Sequence, residues 1–548
     1  MEVFAKLSLS ISLITGISEE SDDDTDDGDD ADDDVSDLEG AAPTPKRQRL
    51  AREEALERSL ASGLYPQFIG CEGPSQPLDP SKNDELAFLQ LVWPTSLCEL
   101  IAVETNRYAH QNNRPKWVDV STDEVWIFLG IVILMGIHRL PQIKDYWSTD
   151  SLLGVSAVQE SMSLRRFWEL WANLHLVDNE TAPATGGPAR KIQPLLDILA
   201  DRFLMCYNPG QELSVDEGMV KYKGRAKGKV HMPKKPIKVG YKVWCCSCSC
   251  CGYLCSFQVY GGRTTDPVSK KKISEKGLTM RVVSDLTSPF EGLNHVVYCD
   301  NFYTSGPLIE MLAKKQIFVV GTIKRTAAGF PPSLKDVKPG KGSYVSTSVE
   351  SINYFVFHDR KVVYFATNVF PEQMGSKVAR TQPDGVLRYQ SIPPLLPAYN
   401  KFMCGADRTG QLLKSYAVDR KSKRCWLHLF YQSWNYAVNN AYILYKHCCK
   451  RFKVKANSSL RFRLELARLL LQKSVRVRRR SHVDVSSSSS SSGGVCCLVR
   501  LSDIGLKRGR CHQCSRVKRK RPHSTSFGCS TCRVRLCKTT CFKEFHQY

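Results

Sequence analysis

The sequence predicts an α/β protein with a central sheet, a helical region before it and a small Cys/His module after it. Apolar residues recur with helical spacing between about residues 82 and 205, and short strand-like runs replace them after residue 210. These runs occupy Glu212–Lys221, Lys238–Cys248 and Tyr253–Tyr260, and a predicted helix over Lys276–Asp285 precedes a fourth run that ends at Asp300. Three strands, a crossover and a fourth strand form the order of an RNase H-like sheet.

The helical region contains the longest apolar run of the chain, Val125–Ile137. Ser121 and Glu124 precede it with the spacing of a capping box, in which each side chain satisfies a backbone N–H at the helix start. Its thirteen residues are fewer than the ~17–25 that cross a bilayer. The sequence therefore predicts a buried helix here and no membrane partner.

After the fourth strand, short strand-like runs separated by turns continue to about residue 395 and predict a β-rich insertion. Helical patterning returns at about Gly410–Leu413, Trp426–Tyr445 and Leu460–Leu471. Ser486–Ser492 and the two glycines that follow it predict a flexible linker before the Cys/His module.

Charge is distributed unevenly along the chain. The 548 residues carry a formal net charge of +22, but residues 19–39 contain fourteen acidic residues and no Lys or Arg, so the remainder carries +36. Such an excess of positive charge outside the acidic segment predicts a polyanionic partner. The alternative is that the charge serves only to keep the protein soluble. The acidic segment predicts a disordered tail, and the basic cluster Pro45–Arg49 that follows is of the nuclear-import type.

Two acidic residues, Asp216 and Asp300, end apolar strand-like runs. A single acid at such a position is commonly a turn residue, but two acids on strands in this order can hold a divalent metal between them. A third carboxylate is then expected, and Asp407 is the best candidate because it precedes a predicted helix N-terminus. Three carboxylates with bound metal are what cleaving and rejoining phosphodiesters requires.

From about Asp84 to Tyr548 the chain resembles the piggyBac family of DDE transposases and the host proteins derived from them. The segments that carry the resemblance occur in the family's order: Glu104–Ala109, Asp145–Ser148, Arg165–Phe167, Leu174–His175, Ser214–Glu217, Lys223–Arg225, Met232–Pro236, Cys299–Tyr303 and Tyr399–Asp407. The resemblance implies an RNase H-like catalytic domain with an insertion between its second and third acids. It also implies cut-and-paste DNA transposition at TTAA targets.

The same resemblance implies the catalytic residues and the partners. Asp216, Asp300 and Asp407 would form the catalytic triad and hold Mg²⁺, and the substrate would be DNA, both transposon ends and a TTAA target. A homodimer is expected, because a transposase must bring two ends together.

The third motif departs from the family pattern Gly-Gly-Val-Asp-x-x-Asp. Cys404 stands in place of the first glycine and Gly410 in place of the second aspartate. A missing carboxylate lowers the negative charge of the site and removes a possible metal ligand. Two functional hypotheses therefore stand: a working transposase, and a domesticated or degenerate copy that binds DNA or chromatin without cutting it.

The chain has 22 cysteines, in tight clusters rather than the even spread of a disulfide framework, which indicates an intracellular protein. One cluster lies on a predicted strand pair and contains Cys245, Cys246, Cys248, Cys250, Cys251 and Cys255. Strand alternation sends Cys245 and Cys248 to opposite faces. Buried small side chains are therefore favoured here over a metal site.

The C-terminal cluster predicts a zinc module. Seven soft ligands lie within 36 residues: Cys511, Cys514, Cys529, Cys532, Cys537, Cys541 and His546. Because the module has little apolar material, the metal must supply its stability. One structural Zn²⁺ is predicted, and a second would need an eighth ligand, for which His512 and His523 are candidates. The basic stretch Arg516–Arg521 fits phosphate contact, and similar tails in the piggyBac family contribute to binding transposon ends, while a protein-binding zinc module is the alternative.

Together these features predict a nuclear protein of seven segments. They are an acidic tail with a basic cluster (1–81), a helical DNA-binding or dimerisation region (82–205), the first part of the RNase H-like core (206–317), the β-rich insertion (318–398), the second part of the core with further helices (399–475), an Arg/Ser-rich linker (476–508) and the zinc-binding domain (509–548).

Overall fold

The computed structural model describes residues 66–516 except 183–186, 263, 266–271, 274–276, 373–374, 382–386, 419 and 484–497, and in addition residues 57, 60, 524–530, 534–537, 541 and 545. The chain divides into two compact units, Met1–Val477 and Arg478–Tyr548. Each unit has buried side chains of its own.

Helices precede, interrupt and follow the central sheet of the first unit, and the last of them begins in the first unit and ends in the second. They are α1 (Glu85–Val92), α2 (Thr95–Gln111), α3 (Thr122–Ile137), α4 (Ser156–Ser161), α5 (Leu164–Asn173), α6 (Gln193–Cys206), α7 (Leu278–Thr287), α8 (Gly306–Ala313), α9 (Leu396–Phe402), α10 (Gly405–Lys414), α11 (Cys425–Phe452) and α12 (Ser459–Val483). The crossover helix expected over Lys276–Asp285 is α7, displaced by two residues.

Helix α3 begins with the capping box that the sequence predicts. Glu124 donates its backbone N–H to the Ser121 hydroxyl at 3.2 Å, and the Glu124 carboxylate accepts the Ser121 N–H at 3.2 Å. Arg166 of α5 binds the same carboxylate at 2.8 and 2.9 Å, so one acid both caps α3 and ties it to α5. All residues of Val125–Ile133 are buried, which confirms the predicted core helix.

Among the residues that the structure describes, no single helix is long and apolar enough to span a bilayer. Helices α1 and α2 reach that length and composition only as a pair, and they meet at a bend of 68°.

The central sheet has nine strands in the described part of the first unit. They are β1 (Glu212–Lys221), β2 (Val230–His231), β3 (Val239–Cys248), β4 (Leu254–Val259), β5 (His295–Cys299), β6 (Ile317–Thr322), β7 (Tyr344–Val349), β8 (Ile352–His358) and β9 (Val362–Thr367). Their spatial order is β7-β8-β9-β6-β5-β1-β3-β2, with β4 also paired to β3. Strand β1 is antiparallel to β3 and parallel to β5, β3 is antiparallel to β4, and β5 is parallel to β6.

Strand β6 lies inside the central order, although the sequence assigned its residues to the β-rich insertion. It pairs in parallel with β5, and helix α8 provides the crossover that a parallel pair needs. Strands β7, β8 and β9 continue the same sheet in antiparallel fashion beyond β6. A separate hairpin follows, formed by β10 (Ser376–Thr381) and β11 (Leu387–Ile392).

Both faces of the sheet are covered. Along β5, Val296 and Tyr298 pack into a cluster with residues of α9, while Val297 and Cys299 belong to the larger core that includes α11. This is the two-residue alternation of a strand buried on both sides. The side chain of Asn440 in α11 accepts the N–H of Leu254 at 3.0 Å and donates to its carbonyl at 2.9 Å, so α11 is hydrogen-bonded to β4.

The second unit is small and built around cysteines. It contains β12 (Leu498–Arg500) paired with β15 (Phe527–Cys529), β13 (Gly509–Arg510) paired with β14 (Ser524–Thr525), and α13 (His512–Arg516). Its buried cluster in the described residues consists of Cys511, Cys514, Cys529, Leu536 and Cys541. With one aliphatic residue in this cluster, the hydrophobic effect contributes little to holding the unit together.

Candidate active site

Asp216 and Asp300 lie on neighbouring strands at matching positions. In the parallel pairing of β1 with β5, Val215 is opposite Cys299. Asp216 follows Val215 and Asp300 follows Cys299, so the two acids lie side by side where the parallel pairing of β1 and β5 ends. The structure thus brings together the two acids that the strand pattern singled out.

Asp407 lies in the first turn of α10 rather than ahead of the helix, as the sequence pattern had suggested. The start of this helix is bound to β1 through Ser214. The Ser214 hydroxyl donates to the carbonyl of Met403 at 2.7 Å and accepts the N–H of Ala406 at 3.4 Å. Because Ser214 is two residues from Asp216, these bonds tie the helix that carries the third acid to the strand that carries the first.

The turn between β3 and β4 holds the same helix from another side. Arg408 donates to the carbonyl of Ser249 at 3.1 Å, and the hydroxyl of Thr409 donates to the carbonyl of Gly252 at 2.8 Å. Asp407 is therefore positioned by bonds on both sides of it in the sequence.

Two glycines of α10, Gly405 and Gly410, allow a test of how closely this helix packs against β1 and the turn between β3 and β4. A Cβ at 405 would lie 2.9 Å from Ser214 Cβ and 2.9 Å from Ser249 Cα, whereas one at 410 meets nothing within 4 Å. We expect Gly405→Ala to lower the free energy of unfolding by about 1–3 kcal/mol through overpacking. Gly410→Ala should raise it by about 0.5–1 kcal/mol, because alanine is the better helix former. Urea unfolding measures both, and equal changes would contradict the close approach at Gly405.

The carboxyl groups of the three aspartates influence one another. Burial, together with the carboxylates of Glu217, Asp407 and Asp300, raises the pKa of Asp216 to about 7, against an opposing effect of Lys235. Burial also raises the pKa of Asp300. The raised pKa values of Asp216 and Asp300 mean that their charged forms are disfavoured, and a bound cation would stabilise these forms. Carboxylate oxygens are hard ligands of the kind that Mg²⁺ prefers. The residues present therefore fit a divalent metal site.

Sequence reasoning did not identify a second layer of this site, which consists of Glu217 and the charged and polar side chains bound to it. Lys235 Nζ lies 3.4 Å from Asp216 Oδ2 and 3.4 Å from Glu217 Oε1, and Lys242 Nζ lies 3.3 Å from Glu217 Oε2. Tyr303 donates its hydroxyl to Glu217 Oε2 at 2.8 Å. Burial acts to raise the pKa of Glu217, but the two ammonium groups and this hydrogen bond bring it below its ordinary value.

A partial signal for this second layer exists in the sequence. Glu217 adjoins Asp216, Tyr303 ends the motif that contains Asp300, and Lys235 lies in the Lys-rich segment Met232–Pro236. Nothing in those motifs indicates that they meet at one carboxylate, because the contacts depend on the pairing of distant strands.

Gly410, where the family pattern has an aspartate, follows Asp407 by three residues on α10 and so lies on the same face of the helix. The space beside it is open. A Cβ atom at this position would meet nothing within 4 Å, so a side chain can begin here without a clash, and the departure from the family pattern removes a negative charge from this face of the helix.

The cysteines of β3, β4 and the turn between them are mostly buried: Cys245, Cys246, Cys248 and Cys255 are inside, Cys251 is partly covered and Cys250 is exposed. The Tyr207 hydroxyl lies 3.3 Å from Cys251 Sγ and 4.0 Å from Cys248 Sγ. In the part of the chain that the structure describes, none of them belongs to a group of three or more side chains able to hold a metal ion.

Four C-terminal cysteines do form such a group. The sulfur atoms of Cys511, Cys514, Cys537 and Cys541 lie within 4.8 Å of one another. Cys514 Sγ is 3.4 Å from Cys541 Sγ, and the N–H of Cys537 donates to Cys511 Sγ at 3.3 Å. Burial acts to raise the pKa of Cys511, but backbone N–H groups lower it below its usual value, which favours the thiolate that binds metal.

The four cysteines come from the first and third pairs of the sequence. Cys529, from the second pair, is buried in the same cluster as Cys511, Cys514 and Cys541, but it is not among the four sulfur atoms that lie within 4.8 Å of one another. The His512 ring packs edge-on against Phe545 at 5.5 Å. Cys532, His546 and His523 lie outside the described residues, as does most of the basic stretch Arg516–Arg521.

Comparison with known proteins places this architecture among transposases. A family model described as Transposase IS4 matches residues 84–442. PiggyBac transposable element-derived protein 3 of Homo sapiens is 26% identical over 366 residues, which are 65% of this chain and 60% of that protein, so the match spans less than two thirds of it. PiggyBac transposable element-derived protein 2 of Homo sapiens is 26% identical over 531 residues, which cover 94% of this chain and 85% of that protein.

A solved structure shows the same fold. It is a cryo-EM structure of a piggyBac transposase synaptic complex with hairpin DNA, with a TM-score of 0.64 and 23% sequence identity. The similarity covers 85% of this chain and 98% of that chain.

Proposed function

Because the chain belongs to the piggyBac transposase family, we propose that it binds DNA ends and carries out metal-dependent cleavage and strand transfer at TTAA sites. The observation that carries this proposal is the convergence of Asp216, Asp300 and Asp407 from two parallel strands and a helix bound to them. The strand order β4-β3-β1-β5-β6, with β1, β5 and β6 parallel, supports an RNase H-like core, which would carry out the same class of reaction.

The three aspartates would hold two Mg²⁺ ions. Bound there, the metal supplies activation of the attacking oxygen and stabilisation of the leaving one. The chain's own residues supply the rest. Glu217 holds Lys235 beside Asp216, so a positive charge of the protein lies where phosphate would enter. Lys242 is paired with Glu217 and keeps that carboxylate in place.

Several further properties belong to the same proposal. The C-terminal cysteines would hold structural Zn²⁺ and help to bind transposon ends, the protein would act as a homodimer on two ends, and it would work in the nucleus. The basic body supports a DNA partner.

A second candidate function is DNA or chromatin binding without cleavage. Gly410 favours it, because the family's second aspartate is absent from the otherwise intact helix α10. An excision assay separates the two candidates. If inverted repeats and TTAA duplications flank the gene, a reporter placed between copies of them should lose its insert when the protein is an active transposase, and should remain intact, though bound, when it is not.

DNA binding should depend steeply on salt. A body with a formal charge of +36 outside the acidic segment displaces many counterions, and log affinity should fall with log salt by about 0.9 per phosphate contacted.

Deleting residues 19–39 should strengthen non-specific binding, because an acidic tail competes for the same basic surface. Fluorescence anisotropy over a salt series measures both. Unchanged affinity after the deletion would contradict a regulatory role for the tail.

A further inference from the structure

Phe302 is a large apolar side chain left partly open beside the three aspartates. It is 41% exposed and stands two residues after Asp300. Its backbone N–H donates to Asp300 Oδ1 at 2.8 Å. The position of this residue is therefore coupled directly to one of the carboxylates of the candidate active site.

The ring of Phe302 lies among cations and a second aromatic ring. Lys242 Nζ is 4.3 Å and Lys324 Nζ is 5.6 Å from its centroid, both within cation–π range. The Tyr303 ring meets it edge-on at 5.0 Å and 89°. Because Lys242 and Tyr303 are themselves bound to Glu217, two neighbours of the ring are held in place before any ligand arrives.

This combination is unlike an isolated surface hydrophobic, which by itself needs no explanation. The side chain of Lys242 is only 9% exposed and its ammonium group is paired with Glu217. Lys324 is exposed to solvent, so its ammonium group can reach a ligand. A partly exposed aromatic ring beside lysines is the arrangement with which proteins bind unpaired nucleotides, since the base stacks on the ring and the phosphates meet the cations.

We propose that Phe302 is a stacking platform for an unpaired base next to the phosphodiester on which the aspartates act. The site would then prefer a DNA end whose terminal nucleotides are unpaired over an intact duplex end. This inference rests on the proposed function, because it assigns a positioning role within the same DNA site. Lys324 would contact a phosphate of the unpaired strand, and Lys242 would stay bound to Glu217.

The test compares two DNA probes with the full-length protein. One is a blunt duplex and the other is the same duplex extended by four unpaired adenines. We expect Phe302→Ala to weaken binding of the extended probe by about 5- to 150-fold, the range for loss of one stacked base, and to change binding of the blunt probe less than twofold. Phe302→Trp should retain the preference, and Phe302→Leu, which keeps apolar volume without a π face, should lose it.

A spectroscopic signal reports stacking independently of affinity. With 2-aminopurine in the unpaired segment, wild-type protein should quench the fluorescence at saturating concentration, and Phe302→Ala should not. Phe452→Ala is the matched control, since that side chain is 40% exposed in the last residue of α11. It should behave as wild type, and thermal unfolding of each variant verifies that it is folded.

The outcomes separate the inference from the function on which it rests. If wild type binds neither probe, the proposed function fails and the platform fails with it. If wild type binds DNA but Phe302→Ala weakens both probes equally or neither, or Phe302→Leu binds as wild type does, the platform alone is wrong.

Discussion

Replacing Asp216, Asp300 or Asp407 with asparagine, one at a time, is expected to abolish Mg²⁺-dependent DNA cleavage and leave DNA binding nearly intact. Each change removes a unit of negative charge and a metal ligand while it keeps the shape of the side chain. A site that loses one such ligand cannot position both the attacking and the leaving oxygen of an in-line displacement. We therefore expect the rate of cleavage to fall by about 10³-fold or more. Cleavage of labelled end DNA measures the rate, and anisotropy measures binding.

The metal itself provides a readout without catalysis. Mg²⁺ at about 100 times its Kd should raise the free energy of unfolding of wild type by about 2.7 kcal/mol, and each Asp→Asn variant should lose most of that increase. Burial raises the pKa of Asp216, so Asp216→Asn should not destabilise the protein in the absence of metal. Asp336→Asn, at an exposed acid outside the site, is the control. Full cleavage by any of the three variants would rule out the triad.

The substitution Gly410→Asp asks whether the missing acid silences the site. A Cβ atom at this position meets nothing within 4 Å. If the missing acid is the cause, wild type should be weak or inactive and the variant should gain Mg²⁺-dependent nicking. Wild type that cuts at full strength would disprove the degenerate-copy hypothesis. If neither protein cuts authentic ends, binding without catalysis is the function to retain.

Removing zinc is expected to unfold the second unit and leave the first unit folded. Four cysteine sulfurs lie within 4.8 Å of one another there, and one aliphatic residue shares their buried cluster in the described residues. Structural zinc of this kind supplies about 10–16 kcal/mol of folding free energy. Native mass spectrometry should find at least one Zn²⁺ per chain, and a chelator should make the segment from Gly509 onward sensitive to protease.

A cysteine pair supplies the control for this experiment. Cys514→Ser should remove the zinc and reproduce the effect of the chelator, because Cys514 belongs to the group. Cys71→Ser, at an exposed cysteine outside it, should change neither zinc content nor protease sensitivity. A chain without metal that resists protease equally with and without chelator would exclude a structural zinc site.

Local patterns were sufficient for much of the fold. The capping box of Ser121 and Glu124 and the strand at Glu212–Lys221 appear as expected, and the run predicted to end at Asp300 forms a strand that ends one residue earlier, at Cys299. Such features depend on residues within one or two turns or on two-residue alternation, which a single stretch of sequence contains in full. Helix α8, which connects β5 to β6, is only eight residues long. Sequence reasoning did not identify this short crossover, so it assigned β6 to the insertion instead of the central sheet.

The sequence by itself determined which residues are candidates for the chemistry: the acids that follow apolar strand residues, the cysteine pairs near the C-terminus and the glycine at position 410. Only the tertiary structure decided how they combine. It joined the first cysteine pair to the third, brought Lys235 and Tyr303 to Glu217 and left Phe302 open beside Asp300. The reason is physical, since these contacts join residues distant in sequence, and strand pairing and close approach between elements set them rather than local preference.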